Sequence, residues 1–109
     1  MAIKANLIID QGTTYTTTVD VTDEDGLPVN LTNYTGTAQI RKHYSSSNST
    51  PFAVSINGPD GTVILNLTAT QTGALVAGRY VYDVELTNSS NVISRIVEGI
   101  VTVTPQVTR

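Results

Sequence analysis

The sequence predicts an all-β domain that folds as an antiparallel β-sandwich of seven or eight strands. Thr makes up about a sixth of the 109 residues, apolar and polar side chains alternate along most of the chain, and turn-forming clusters recur. Thr, Val and Ile have stiff χ1 angles and pack well on a pleated sheet, whereas good helix formers are sparse. The length is sufficient for one core, so residues 1–109 are predicted to form a single domain.

Alternation predicts the strands, and clusters of Gly, Asp, Asn, Ser and Pro predict the turns between them. Asp25-Gly26 is among the stronger turn signals, because Gly accepts a positive φ and Asp tolerates one. A helical turn, capped by Thr68 or Thr70, is expected at 70–75. Gly99 predicts a β-bulge inside the last strand. The predicted strands are 5–9, 15–21, 28–31, 37–44, 52–56, 63–67, 79–86 and 92–103.

The apolar side of this alternation predicts the interior. Residues two apart in a strand point to the same face, so a run of alternate apolar residues marks the buried face. The interior is predicted to contain Val19, Val21, Ile40, Val54, Leu65, Leu67, Tyr82, Val84 and Val101.

The segment 75–82 contains a short helical turn, a Gly and then Tyr80. This order resembles the tyrosine corner of immunoglobulin-like sandwiches, in which a Tyr hydroxyl bonds to an upstream backbone group. By this resemblance Tyr80 is the corner residue, and Tyr82 stands where an immunoglobulin domain has its second Cys. The chain contains neither Cys nor Trp, so the resemblance is to an immunoglobulin-like architecture and not to antibody domains.

Composition excludes several classes of function. Without Cys, no disulfide, thiolate metal site or Cys nucleophile can form. The net charge is −3 and the pI about 4.7, which argues against a nucleic-acid partner. No apolar run is long enough to predict a membrane span, and the N-terminus lacks the pattern of a signal peptide. We expect no enzymatic activity, no catalytic residue and no cofactor.

Nearly the whole chain resembles a family of small immunoglobulin-like structural proteins of tailed bacteriophages. The resemblance rests on the segments 10–12, 29–34, 38–41, 77–86, 98–99 and 101–105. It implies a virion protein of the tail, the baseplate or the capsid decoration, made in the host cytoplasm. It also implies contacts with other virion proteins and a homo-oligomer. The apolar segments Ile3–Ile9 and Val101–Val107 are expected to add to the sheet of a neighbour.

Few residues are candidates for binding or catalysis. The only His, His43, lies on the polar side of its strand beside a serine loop, and an ordinary exposed role is expected. Asp23 and Asp25, with Asp60 from another turn, are weak calcium candidates, and a solvated turn is the favoured alternative. Asp83 and Glu85 are expected to pair with cations on neighbouring strands: Arg41, Lys42 or Arg95.

The aromatic residues suggest a second function. Tyr34 and Tyr44 flank one predicted strand and, with the loop 45–51, form the candidate ligand surface. Such a surface would suit an adhesion module that binds a glycan on the host. Five Asn-x-Ser/Thr motifs are interpreted as coincidence in a chain rich in these residues.

Overall fold

The computed structural model describes residues 3–108, in which nine strands surround a buried apolar core and one short helix connects two of them. The strands are β1 (Ile3–Lys4), β2 (Leu7–Asp10), β3 (Tyr15–Asp20), β4 (Thr35–Arg41), β5 (Thr50–Pro51), β6 (Ala53–Asn57), β7 (Thr62–Leu67), β8 (Gly78–Thr87) and β9 (Ile93–Thr104). The helix α1 spans Ala69–Gly73.

Two sheets form an immunoglobulin-like sandwich, which confirms the predicted all-β fold. The larger sheet has the order β1-β9-β8-β4-β5, with β2 also paired to β9, and the smaller sheet has the order β3-β7-β6. Between β5 and β6 the chain crosses from one sheet to the other through Phe52, whose N–H donates to the Ala38 carbonyl oxygen at 3.0 Å. That side of the sandwich is therefore closed by the chain itself.

The first two strands depart from the predicted antiparallel pairing, because β1 and β2 run parallel to β9. Leu7 lies opposite Val101 and Ile9 opposite Val103. A parallel pair requires a long crossover, and here nearly the whole chain supplies it. Ile9 is fully buried. The expectation that the apolar ends add to the sheet of a neighbour was therefore wrong for the end of β9, which is paired on both sides, and stays a prediction for β2, which pairs only with β9 in residues 3–108.

Six of the nine predicted core residues are buried, and Val19, Val21 and Val54 are half-buried. These three lie in or beside β3 and β6, the outer strands of the smaller sheet, where a neighbouring strand is lacking on one side. The core also contains residues that were not predicted: Ile9, Leu31, Ala38, Phe52, Val63, Leu75, Leu86, Val97 and Val103.

The bulge in β9 lies at Ile96 and not at Gly99. Val84 pairs with Val97 and Glu85 with Arg95, so Ile96 is the extra residue. Gly99 serves another purpose, because a Cβ there would overlap the Ala5 carbonyl oxygen. The glycine allows the N-terminal segment to approach the backbone of β9 closely.

Two predicted elements are shorter than expected. Residues 28–31 form only one bridge, between Pro28 and Thr22, although Leu31 is buried. The helix α1 begins after Thr68, whose hydroxyl accepts from the Gln71 N–H while the Gln71 side chain accepts from the Thr68 N–H.

Within residues 3–108, no helix has the length and apolar character that crossing a bilayer requires.

Candidate functional site

Tyr80 connects the end of the helical segment to β8. Its hydroxyl donates to the Val76 carbonyl oxygen at 2.6 Å, four residues upstream. The ammonium group of Lys42 lies 4.9 Å from the centre of the Tyr80 ring and donates to the Arg79 carbonyl oxygen. A cation over a Tyr face is attracted by the ring's quadrupole. These contacts hold the connection between the two sheets, so the role of Tyr80 is structural.

Tyr82 holds the N-terminal segment in place. Its hydroxyl donates to the Ala5 carbonyl oxygen at 2.6 Å, and its ring meets Phe52 edge-on with centroids 6.2 Å apart. Burial, which would strip the phenolate of its hydration, and to a smaller extent nearby Tyr15 together raise the pKa of Tyr82 to about 12. The pKa of Tyr15 is itself raised by burial. No local pattern in the sequence indicates a bond between residues so far apart.

The outer face of the larger sheet has an apolar centre, formed by the exposed Ile8 and Ile100 and the half-buried Val81 and here named the outer patch. Val81 lies directly opposite Ile100 in the β8–β9 pair, and Ile8 lies opposite Thr102 on the next strand. Ile8 is 68% exposed and Ile100 42% exposed. The side chains around the patch are mostly polar or charged: Lys42, His43, Arg79, Asp83, Glu98 and Thr102.

A shallow charged groove of about 220 Å³ lies next to the outer patch. Asp83 and Glu98 face each other across β8 and β9, and Arg95 contacts the two carboxylates at 3.3 Å and 3.4 Å. The predicted pairing of Asp83 with Arg95 is therefore confirmed. Two carboxylates in register repel each other, and the guanidinium offsets this repulsion. Tyr44 also lines the groove and is 81% exposed.

The structure does not bring Tyr34 and Tyr44 together. They lie beyond opposite ends of β4, and seven strand residues separate them by roughly 20 Å or more. Tyr34 packs against the core, whereas Tyr44 is exposed. The prediction that both form one ligand surface was therefore wrong, and Tyr44 alone lies beside a groove.

The serine loop after β4 has a defined conformation. The Arg41 guanidinium donates to the Ser46 carbonyl oxygen at 2.6 Å and to the Gln39 side chain at 2.8 Å. The N–H of His43 donates to the Ser46 hydroxyl oxygen at 3.0 Å, and the His43 residue is exposed. The loop is thus a turn held by Arg41, and it lines a second open groove of about 360 Å³.

The three calcium candidates do not converge. A carboxylate oxygen of Asp23 accepts from the N–H groups of Asp25 and Leu27, at 2.9 Å and 3.0 Å, and so closes the turn. Asp60 accepts from the Asn57 side chain in a different turn. Across residues 3–108 no three His, Cys, Asp or Glu side chains come close enough to hold a metal. The weak calcium prediction for Asp23, Asp25 and Asp60 was therefore wrong.

The smaller sheet ends in an open edge at β3. Within the described chain β3 pairs only with β7, because β1 and β2 belong to the other sheet. Beside this edge, an apolar groove of about 210 Å³ opens between the two sheets. It is lined mainly by Ile3, Val19, Val21, Ile96 and Val97. This groove is here named the edge groove.

Comparison with known proteins supports the fold. No protein-family model matches the chain, and no curated protein matches its sequence. Among solved structures, the chain is similar to an internalin-like protein of Listeria monocytogenes, with a TM-score of 0.53 and 18% identity. The similarity covers 94% of this chain and 28% of that protein, so the chain spans just over a quarter of its length.

Proposed function

We propose that this protein is a non-enzymatic structural protein of a bacteriophage virion, in the tail, the baseplate or the capsid decoration. It acts through contacts with other virion proteins and through self-assembly. The observation that carries the docking role is the outer patch, in which Ile8 and Ile100 are exposed and Val81 is half-buried within a charged surround. The assignment to a virion comes from the sequence resemblance to phage structural proteins.

The composition of the outer patch suits a protein interface. Interfaces of moderate size commonly have an apolar centre and a polar rim. Val81 and Ile100 are cross-strand neighbours on a regular sheet, so their positions are set before a partner binds. A rigid surface loses little conformational entropy on binding, which favours docking of a flat partner.

The charged residues of this face have structural partners. Arg95 bridges Asp83 and Glu98, Arg41 holds the serine loop, and Lys42 binds the Arg79 carbonyl. Nucleophilic or acid–base catalysis requires a base aligned with its substrate or nucleophile. His43 is exposed, and its backbone N–H and carbonyl oxygen both bond to Ser46. These contacts favour docking over hydrolysis.

The genomic position tests the virion assignment, because structural genes of a phage are expected to be adjacent. Tail or capsid genes on either side would support the proposal. Purified particles provide the direct test: mass spectrometry should detect the chain in wild-type particles and lose it with Ile100→Asp. Val92→Asp is the matched control, since Val92 is also exposed but lies in the β8–β9 turn. Particles that never contain the wild-type chain would contradict the assignment.

A second candidate function is adhesion to a host glycan. It is favoured by Tyr44, an exposed aromatic side chain beside the charged groove with its carboxylates and amide. Aromatic faces with nearby polar groups suit sugar rings. A glycan array should then give reproducible binding that Tyr44→Ala abolishes and Tyr34→Ala preserves. Binding that survives Tyr44→Ala would contradict this candidate.

A further inference from the structure

We infer that the open edge of β3 pairs with β3 of a second copy of this chain, joining the two smaller sheets into one. This inference rests on the self-assembly in the proposed function and names the surface that would carry it. The edge is available because β3 has a strand partner only on its β7 side within residues 3–108. Sheet edges carry unpaired N–H and C=O groups that can bind another strand.

The β3 edge has few of the features that normally block strand addition, since its one charged residue, Asp20, is the last of the strand. From Gln11 to Val19 the sequence has no charged residue and no Pro. The register of β3 against β7 is continuous from Tyr15 to Asp20, so no bulge twists the edge away. Natural edge strands are usually protected by Lys, Pro or a bulge. β6 is the other outer strand of this sheet. It begins directly after Phe52, where the chain crosses over from the larger sheet.

The direction of the backbone groups on β3 follows from one hydrogen bond. The N–H of Val21 donates to the Gly61 carbonyl oxygen at 2.8 Å, on the β7 side. In an antiparallel pair, successive residues direct their backbone groups to opposite sides. Odd-numbered residues of β3 therefore bond to β7, and Thr16, Thr18 and Asp20 direct their N–H and C=O groups outward.

A second copy fits this edge because the strand is complementary to itself. In the two-fold register that pairs Thr16 with Thr18 of the partner subunit, each such pair exchanges two hydrogen bonds. Tyr15 then lies opposite Val19 of the partner subunit on the inner face, which is a favourable aromatic–aliphatic pair. Asp20 lies opposite Thr14 of the partner subunit, so no two like charges meet.

The edge groove adds apolar surface to this contact. It lies beside the end of β3, where Ile3 is more than half exposed and Val19 and Val21 are only half-buried. A strand added to β3 would extend the smaller sheet across this opening. Burial of this apolar surface favours association.

Two double variants test the register by charge. Thr16→Lys with Thr18→Lys places like charges opposite each other at both pairs, whereas Thr16→Lys with Thr18→Glu places opposite charges there. Both change the same two exposed positions and both remove the bond from Thr16 to Asn66, so they are matched. At a concentration where the wild type is a dimer, we expect the light-scattering mass to fall about two-fold, to the 11.6 kDa of one chain, in the first variant only.

Hydrogen exchange provides a test that needs no variant. The outward amides of Thr16 and Thr18 should become protected as the wild-type concentration rises, because only the dimer pairs them.

A wild type that stays monomeric up to about 1 mM, or two double variants that behave alike, would overturn the inference. If Ile100→Asp dissociates the dimer and the β3 variants do not, the self-contact lies at the outer patch. That result would overturn this inference and leave the proposed function standing.

Discussion

The larger and the smaller sheet have different outer strands on the side of the sandwich where the N-terminal strands lie. The larger sheet is extended there by β1 and β2, which pair with β9, while the smaller sheet stops at β3. The larger sheet's edge is secured by a buried side chain, a close backbone approach and a Tyr hydroxyl. The edge of β3 has no comparable partner in the described part of the chain. The placement of the N-terminal segment therefore leaves β3 as an outer strand of the smaller sheet.

Removing the side chain of Ile9 should have the largest effect on this difference. Ile9 is fully buried on β2, so Ile9→Ala removes apolar contacts and leaves a cavity. We expect the free energy of unfolding, measured in urea, to fall by about 3 kcal/mol. Ile8→Ala on the same strand is the control, because Ile8 is exposed, and it should change stability by about 0.5 kcal/mol or less. Equal losses in both variants would mean that β2 does not belong to the core.

Alkaline pH should weaken the larger sheet's edge through Tyr82. The folded-state pKa of about 12 exceeds the unfolded value of 10.0, so the folded state binds more protons between these values and its stability falls as the pH rises. A pKa shift of this size corresponds to a decrease of about 2–3 kcal/mol in the free energy of unfolding between pH 10 and pH 12. Tyr82→Phe should lose about 1–2 kcal/mol at pH 7, where the Ala5 carbonyl is left unbonded, and should show a shallower alkaline loss. An unchanged alkaline slope in Tyr82→Phe would contradict this assignment.

Adding a methyl group at Gly99 should displace the N-terminal segment from β9. A Cβ there overlaps the Ala5 carbonyl oxygen, so Gly99→Ala should cost about 2 kcal/mol in urea unfolding. It should also speed proteolysis within residues 3–10. Gly73→Ala is the control, because a Cβ at the end of α1 meets only an ordinary contact at 3.7 Å from Gly12. Slow proteolysis of the Gly99→Ala variant would show that the segment can shift without detaching.

Tyr80→Phe should have the smallest effect and should spare both sheet edges. It removes the hydroxyl bond to the Val76 carbonyl, worth about 1 kcal/mol, while the ring remains beneath Lys42. Urea unfolding should register this loss, and proteolysis of residues 3–10 should not change. A faster cleavage there would mean that the corner and the N-terminal segment are coupled.

Much of the sandwich could be predicted from alternation, because period-two patterns show which residues share a face. β4, β7 and β8 and six of the buried core residues follow directly from this pattern, as Ile40, Leu65 and Val84 illustrate. Alternation does not specify which strands are neighbours. The parallel pairing of β2 with β9, and with it the burial of Ile9, depends on a contact between the two ends of the chain.

Local chemistry predicted the candidate site less well. Tyr34 and Tyr44 lie at opposite ends of β4. They are close in the sequence, but the extended strand separates them in space. Local chemistry predicts a bulge at Gly99 in β9, whereas the close approach of Ala5 accounts for this glycine. The outer patch was missed because Ile8, Val81 and Ile100 become neighbours only through the pairing of three strands.

The parallel contact between β2 and β9 also constrains the order of folding. The Ile100 N–H donates to the Asn6 side chain across a separation of 94 residues, so this contact can form only after the residues up to Ile100 have left the ribosome. Until then β2 has no partner, and its apolar residues are exposed to other nascent chains. Contacts of such long separation close slowly, which predicts a late folding step that docks β2 onto β9.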